Sequence, residues 1–164
     1  MKIGIIGVGH IGKELIRLLK PFKCNILVND IIEQKKYYET NNLIQVSKNE
    51  IFKRADIITL HTPYDENTKN LINTDVFEIM KKEAFLINSA RGGLINETDL
   101  KEALQLNKIA GAAIDAYVEE PPTDTDLLSH ENLICTPHIG GNSIEAIEAM
   151  GMSAISHLKE YFKR

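Results

Sequence analysis

Residues 3–12 read IGIIGVGHIG, and the glycines at 7, 9 and 12 carry GxGxxG spacing. Position gives that spacing its meaning. The apolar run from Lys2 to Ile6 ends at Gly7, and Ile11, Leu15, Leu18 and Leu19 then recur at helical spacing until Pro21. The glycines therefore stand where a strand gives way to a helix. In that setting Gly7 permits the tight turn, Gly9 leaves room for a pyrophosphate to approach the backbone, and Gly12 lets the helix pack on the strand. The anion meets free amides and the positive end of the helix dipole, so the site needs no lysine. A second apolar run, 25 to 29, ends in Asp30. A carboxylate there accepts hydrogen bonds from both ribose hydroxyls and repels a 2′-phosphate. No arginine follows it closely, and the expected cofactor is NAD rather than NADP.

Outward from this unit the alternation continues. Expected strands cover 2 to 6, 25 to 29, 43 to 46, 57 to 60, 84 to 88, 110 to 114 and 133 to 135. Expected helices begin near Ile11, cover 33 to 39, run from a Ser47/Glu50 capping box to about Lys53, cover 75 to 82, follow an Asn96 cap over 97 to 106, and end with a long helix at 142 to 162. The stretch 121 to 126, rich in proline and aspartate, reads as a loop. Strands joined by helical crossovers demand a parallel sheet, so the fold class is doubly wound α/β with about seven strands.

With 164 residues, 43% of them apolar and 26% charged, the chain has the proportions of one domain spanning 1 to 164. A net charge of −4 and scattered basic residues exclude a nucleic-acid surface. No apolar run reaches the roughly 18 residues of a membrane span, and no signal peptide opens the chain, so the expected location is cytoplasmic. Cys24 and Cys135 lack metal-site or disulfide spacing and read as small buried hydrophobes; no metal is expected.

Four further segments each follow an expected strand, at the carboxyl edge of the sheet where such folds bind ligands: LHTP at 60–63, NSARGG at 88–93, GAAIDAYVEEP at 111–121 and TPHIGG at 136–141. In order and chemistry they resemble the D-isomer-specific 2-hydroxyacid dehydrogenases, the family of phosphoglycerate dehydrogenase, over essentially the whole chain. The resemblance implies a Rossmann NAD-binding domain of an oxidoreductase acting on a 2-hydroxy or 2-oxo acid. It implies that Arg91 binds the substrate carboxylate and reacting oxygen with its planar fork of donors. His138 is then the general acid/base, with Glu120 fixing its tautomer and stabilising the charged imidazole. Glu119 is the rival of Glu120; the latter stands directly before Pro121 and matches the family pattern. Asp115 would face the nicotinamide carboxamide. Thr62, Pro63, Ser89, Ala90 and Arg91 would line the cofactor, joined by Gly7, Gly9, His10, Ile11 and Gly12 at the phosphates and by His138, Gly140 and Gly141 at the far end. His61, His130 and His157 read as structural or solvated.

The resemblance implies a substrate lobe built from sequence on both sides of this domain; none is expected within these 164 residues, so Arg91, Glu120 and His138 are expected to form a half-site. The expectation is NAD binding with little turnover by the chain alone, whether fragment or natural short form. A homodimer through this domain is also expected, because the 142–162 helix carries an apolar stripe, Ile144, Ile147, Gly151, Ala154, Ile155, Leu158 and Phe162, that needs a partner. Two other readings remain. A 3-hydroxyacid dehydrogenase also opens on such a strand, but it does not account for NSARGG and TPHIGG. A non-catalytic NAD-binding interaction module shares the fold. The particular acid is not readable from these residues.

Overall fold

The computed structural model describes residues 1–163; Arg164, the last residue of the expected domain, lies outside the described residues. Its strands are β1 (Lys2–Ile6), β2 (Asn25–Asn29), β3 (Ile44–Gln45), β4 (Ile57–Leu60), β5 (Phe85–Asn88), β6 (Gly111–Ile114) and β7 (Leu133–Cys135). All pair in parallel, in the order β3-β2-β1-β4-β5-β6-β7. The helices are α1 (His10–Leu19), α2 (Lys35–Thr40), α3 (Lys48–Arg54), α4 (Thr74–Ile79), α5 (Glu97–Gln105), α6 (Thr125–Leu128) and α7 (Ile144–Tyr161).

Alternation along each strand sorts side chains between the two faces. Ile3 and Ile5 of β1 pair with Ile26 and Val28 of β2, and these four close over Ile16 of α1 and Tyr38 of α2. Ile6, Leu27, Ile58, Leu60, Leu86 and Ile114 point the other way, into a larger core completed by Phe52, Phe77, Leu100 and Leu127 from α3, α4, α5 and α6. After β3 the chain returns through α3 to lay β4 on the opposite side of β1. The direction of winding thus reverses between β1 and β4, and loops leaving their carboxyl ends part to form a crevice.

Local capping explains where the helices begin. Ser47 Oγ accepts from the Glu50 amide at 3.2 Å, and Asn96 Oδ1 from the amides of Thr98 and Asp99 at 3.1 and 3.2 Å. Only half of the expected capping box forms, since the Glu50 carboxylate bonds Arg54 instead. Where sequence indicated only a loop, Asp124 Oδ1 accepts from the Leu127 amide at 3.0 Å and starts α6, a short aspartate-capped turn with too little apolar periodicity to be seen beforehand. Cys24, just before β2, and Cys135, the last residue of β7, are half-buried rather than buried, and neither forms a disulfide.

Two apolar surfaces stay uncovered. On the face opposite α4 and α5, Phe85 and Ile134 are 49% and 69% exposed beside a trough of about 400 Å³. The 18 residues of α7 include none that is buried. Among the described residues no helix is long and apolar enough to cross a membrane.

Candidate active site and cofactor cleft

Gly7 leaves β1 with φ +96°, and its amide donates to the Asn29 carbonyl at 2.8 Å. A Cβ at Gly7 would run into the His61 carbonyl, and one at Gly12 into the Gly7 carbonyl, so both positions require glycine for close backbone approach. Gly9 differs: a Cβ there would meet nothing within 4 Å. It borders open space at the N-terminus of α1, whose first turn has neither an acidic residue nor a side-chain cap. Those amides are left for an outside acceptor.

Around this turn lies a cleft of about 310 Å³, walled by Gly7 and Gly9, by Asp30 after β2, by Lys48 at the start of α3, and by His61, Thr62 and Pro63 after β4. Asp30 is anchored to the glycine loop, with Oδ2 accepting from the Val8 amide at 2.5 Å and Oδ1 from the Ile32 amide at 2.8 Å. Each oxygen keeps a lone pair for a ribose hydroxyl. Thr62 Oγ1 is buried with no hydrogen-bond partner among the described residues. A buried orphan hydroxyl is costly unless a ligand satisfies it. The open Gly9, the uncapped helix start, the anchored carboxylate and this hydroxyl fit a dinucleotide. His61, expected to be structural or solvated, is half-buried on the cleft wall; its Nε2 lies 3.0 Å from Thr59 Oγ1, and burial lowers its pKa. His10 and Ile11 are exposed at the start of α1, outside the walls of this cleft.

A second cleft, of about 430 Å³, opens beyond β5, β6 and β7 and is lined by Tyr64, Arg91, Gly92, Gly93, Tyr117, Val118, Glu120 and His138. Buried Asn88, the last residue of β5, shapes its NSARGG wall: Oδ1 accepts from the Ala90 amide at 3.1 Å and Nδ2 donates to the Arg91 carbonyl at 2.9 Å. Arg91 Nη1 donates to the Ala90 carbonyl at 2.6 Å, and among the described residues the guanidinium has no carboxylate partner. Ser89 is exposed and Ala90 half-buried beside it.

Glu120 lies across this cleft with both carboxylate oxygens 2.8 Å from His138 Nδ1. Its Oε1 also accepts from the Tyr117 amide at 3.1 Å. The hydrogen bond from His138, then that from the Tyr117 amide, hold the Glu120 carboxyl below its usual range. Glu119 instead accepts from Thr123 Oγ1 at 3.2 Å, so geometry separates the two acids.

His138 adopts a left-handed backbone, φ +53°. For a residue other than glycine this costs about 1–3 kcal/mol unless its surroundings enforce it. Asp115, at the end of β6, supplies that enforcement. Its Oδ1 accepts from Thr136 Oγ1 at 2.5 Å and from the Ile139 amide at 2.9 Å, and its Oδ2 from the Gly140 amide at 2.8 Å. Burial alone would raise the Asp115 carboxyl; the three hydrogen bonds and nearby His138 outweigh it and the pKa falls. Tyr117 adds a brace, its hydroxyl within 3.2 Å of the Ile114 carbonyl and 3.0 Å of the Thr136 carbonyl, and burial foremost raises its pKa. Gly140 and Gly141 lie exposed on the same loop. Sequence reasoning missed Asn88, Tyr64, Tyr117 and Lys48; no spacing rule marks them, and only the positions just after strands hint at Asn88 and Tyr117. Among the described residues no group of His, Cys, Asp and Glu could hold a metal ion.

Sheet order, crevice and uncapped glycine turn define a dinucleotide-binding α/β domain. The chain belongs to the D-isomer-specific 2-hydroxyacid dehydrogenases, whose NAD-binding domain model matches residues 1–140. It is 41% identical over 162 residues to D-3-phosphoglycerate dehydrogenase of Methanocaldococcus jannaschii, covering 98% of this chain and 31% of that protein. The chain thus spans about a third of the length of the curated relative it matches. Among solved structures it resembles the D-lactate dehydrogenase of Aquifex aeolicus complexed with NAD and lactic acid, at TM-score 0.90 and 27% identity, covering 99% of this chain and 54% of that one. It also resembles an NADPH-dependent glyoxylate/hydroxypyruvate reductase of Sinorhizobium meliloti in complex with NADP and malonate, at TM-score 0.89 and 28% identity, covering 98% and 50%.

Proposed function

We propose that this domain binds NAD in the crevice between β1 and β4 and contributes Arg91, Glu120 and His138 to the interconversion of a D-2-hydroxy acid and its 2-oxo acid. The observation that carries the proposal is the Glu120–His138 pair, 2.8 Å apart in the cleft that also holds Arg91. Bound NAD supplies the hydride acceptor. Glu120 accepts from Nδ1–H, so Nε2 of His138 takes the hydroxyl proton in oxidation and returns it in reduction. The guanidinium of Arg91, unpaired with any carboxylate among the described residues, binds the substrate carboxylate and the reacting oxygen. The glycine turn, Asp30 and Thr62 hold the dinucleotide; Ser89, Ala90, Gly140 and Gly141 flank it. A solved relative with this fold takes NADP, so cofactor preference rests on side chains rather than architecture.

Because the chain covers about a third of its curated relative, the proposal for the chain alone is cofactor binding with little turnover. A second lobe would close the cleft against water and position the acid. NADH titration followed by fluorescence, with turnover assays on several 2-oxo acids, tests this. Binding without turnover is expected, and robust turnover by the purified chain would overturn it. Absence of NADH binding would overturn the whole reading. A cytoplasmic location is part of the same proposal, supported by two half-buried cysteines that form no disulfide.

We also propose a homodimer. Parallel sheets are ordinarily covered on both faces, yet Phe85 and Ile134 lie bare and α7 buries nothing. Sedimentation equilibrium should give a dimer that Ile134→Glu dissociates; a monomer at high concentration would refute it.

A further inference from the structure

Asp30 shares its wall of the cofactor cleft with a second charge. Strands β2 and β3 pair through Leu27↔Ile44 and Val28↔Gln45, which puts their carboxyl ends side by side. Asn29 Nδ2 donates to the Val46 carbonyl at 2.8 Å and ties the two exits together. Asp30 leaves the first exit and Lys48, the opening residue of α3, leaves the second; both line the 310 Å³ cleft. Lys48 is half-buried, and among the described residues its ammonium has no carboxylate partner. Lys81, Lys101 and Lys108 each lie 2.6 Å from one. Asp30 forms no ion pair with it among the described residues; its oxygens accept from the Val8 and Ile32 amides.

We infer that Lys48 is a second determinant of cofactor choice, giving this domain an affinity for 2′-phosphorylated dinucleotides that Asp30 holds in check. The inference rests on the dinucleotide-binding reading above. A ribose hydroxyl offers Asp30 a donor and needs nothing from Lys48. A 2′-phosphate brings close to two negative charges, which Asp30 repels and an unpaired ammonium attracts. The wall therefore sets a balance between opposed charges, and neutralising the acid releases the preference of the lysine.

The test uses the 164-residue chain and the affinities for NADH and NADPH read from ligand fluorescence. Asp30→Asn should raise the ratio of NADPH to NADH affinity by about ten-fold, as loss of a close like charge implies. Adding Lys48→Gln should remove about three-fold or more of that gain, and adding Lys48→Arg instead should keep it. Raising the salt concentration should lower the NADPH to NADH affinity ratio of Asp30→Asn more with lysine or arginine at position 48 than with glutamine there. A ratio in Asp30→Asn that is the same with lysine, glutamine or arginine at 48 would overturn the inference while leaving the NAD-binding reading intact. Binding of neither nucleotide by the unmodified chain would overturn both.

Discussion

Glu120 and His138 stand 18 residues apart in sequence, and both carboxylate oxygens of the acid lie 2.8 Å from the same ring nitrogen. The contact fixes Nδ1 as the donor and leaves Nε2 as the basic atom. Because the imidazole is the main cause holding the Glu120 carboxyl low, His138→Phe should move that carboxyl back toward 4.5. Carbon-detected NMR titration of Glu120 reads this directly, and an unmoved titration would show that the Tyr117 amide, not His138, controls it. The sign follows from the lowered value: the contact is intact above the ordinary carboxylate range and loosens as pH falls through the folded pKa.

Asp115 should matter to stability as well as to the site. Asp115→Ala strips buried acceptors from the Ile139 and Gly140 amides and from Thr136, at a cost of about 2–4 kcal/mol. Urea denaturation measures it. Since the folded carboxyl is lowered from 3.8, its contribution is present above that value and lost as pH drops below it. The acid limb of the stability profile should therefore flatten in Asp115→Asn.

Two glycines of the turn should fail differently. Gly7→Ala places a side chain at φ +96° against the His61 carbonyl and should destabilise the fold by about 1–3 kcal/mol. Gly9→Ala meets no atom within 4 Å and should leave the melting temperature nearly unchanged while weakening NADH binding about ten-fold or more. Equal losses of stability in both would contradict the assignment of Gly9 to the ligand.

Thr62→Val removes the buried hydroxyl that lacks a partner among the described residues. The apo domain should gain stability or hold level, and NADH affinity should fall by a few-fold, the worth of one neutral hydrogen bond at about 0.5–1.5 kcal/mol. Thermal melting with and without NADH separates the two effects.

The fold was legible because its signals are local and repeated. Every expected strand corresponds to one in the sheet, and the glycine turn lies where β1 meets α1. What escaped were features set by packing at a distance. The α6 turn depends on one aspartate cap, and the bare face of β5 and β7 is invisible to periodicity, which reports that a residue is apolar but not whether anything covers it. Within the site, motif order indicated Arg91, Glu120 and His138, and the structure brings these three into one cleft. Lys48 reaches the cofactor cleft only because β3 lies beside β2, a neighbour relation that spacing along the chain does not encode.

The left-handed backbone of His138 also bears on how far the site can travel. Its conformation is enforced by a carboxylate just after β6, whereas the histidine itself follows β7. A TPHIGG segment transplanted to another sheet edge would carry the imidazole without its orientation unless an aspartate on the adjoining strand came with it. Transfer of this chemistry between scaffolds therefore takes a pair of neighbouring strands as its smallest unit.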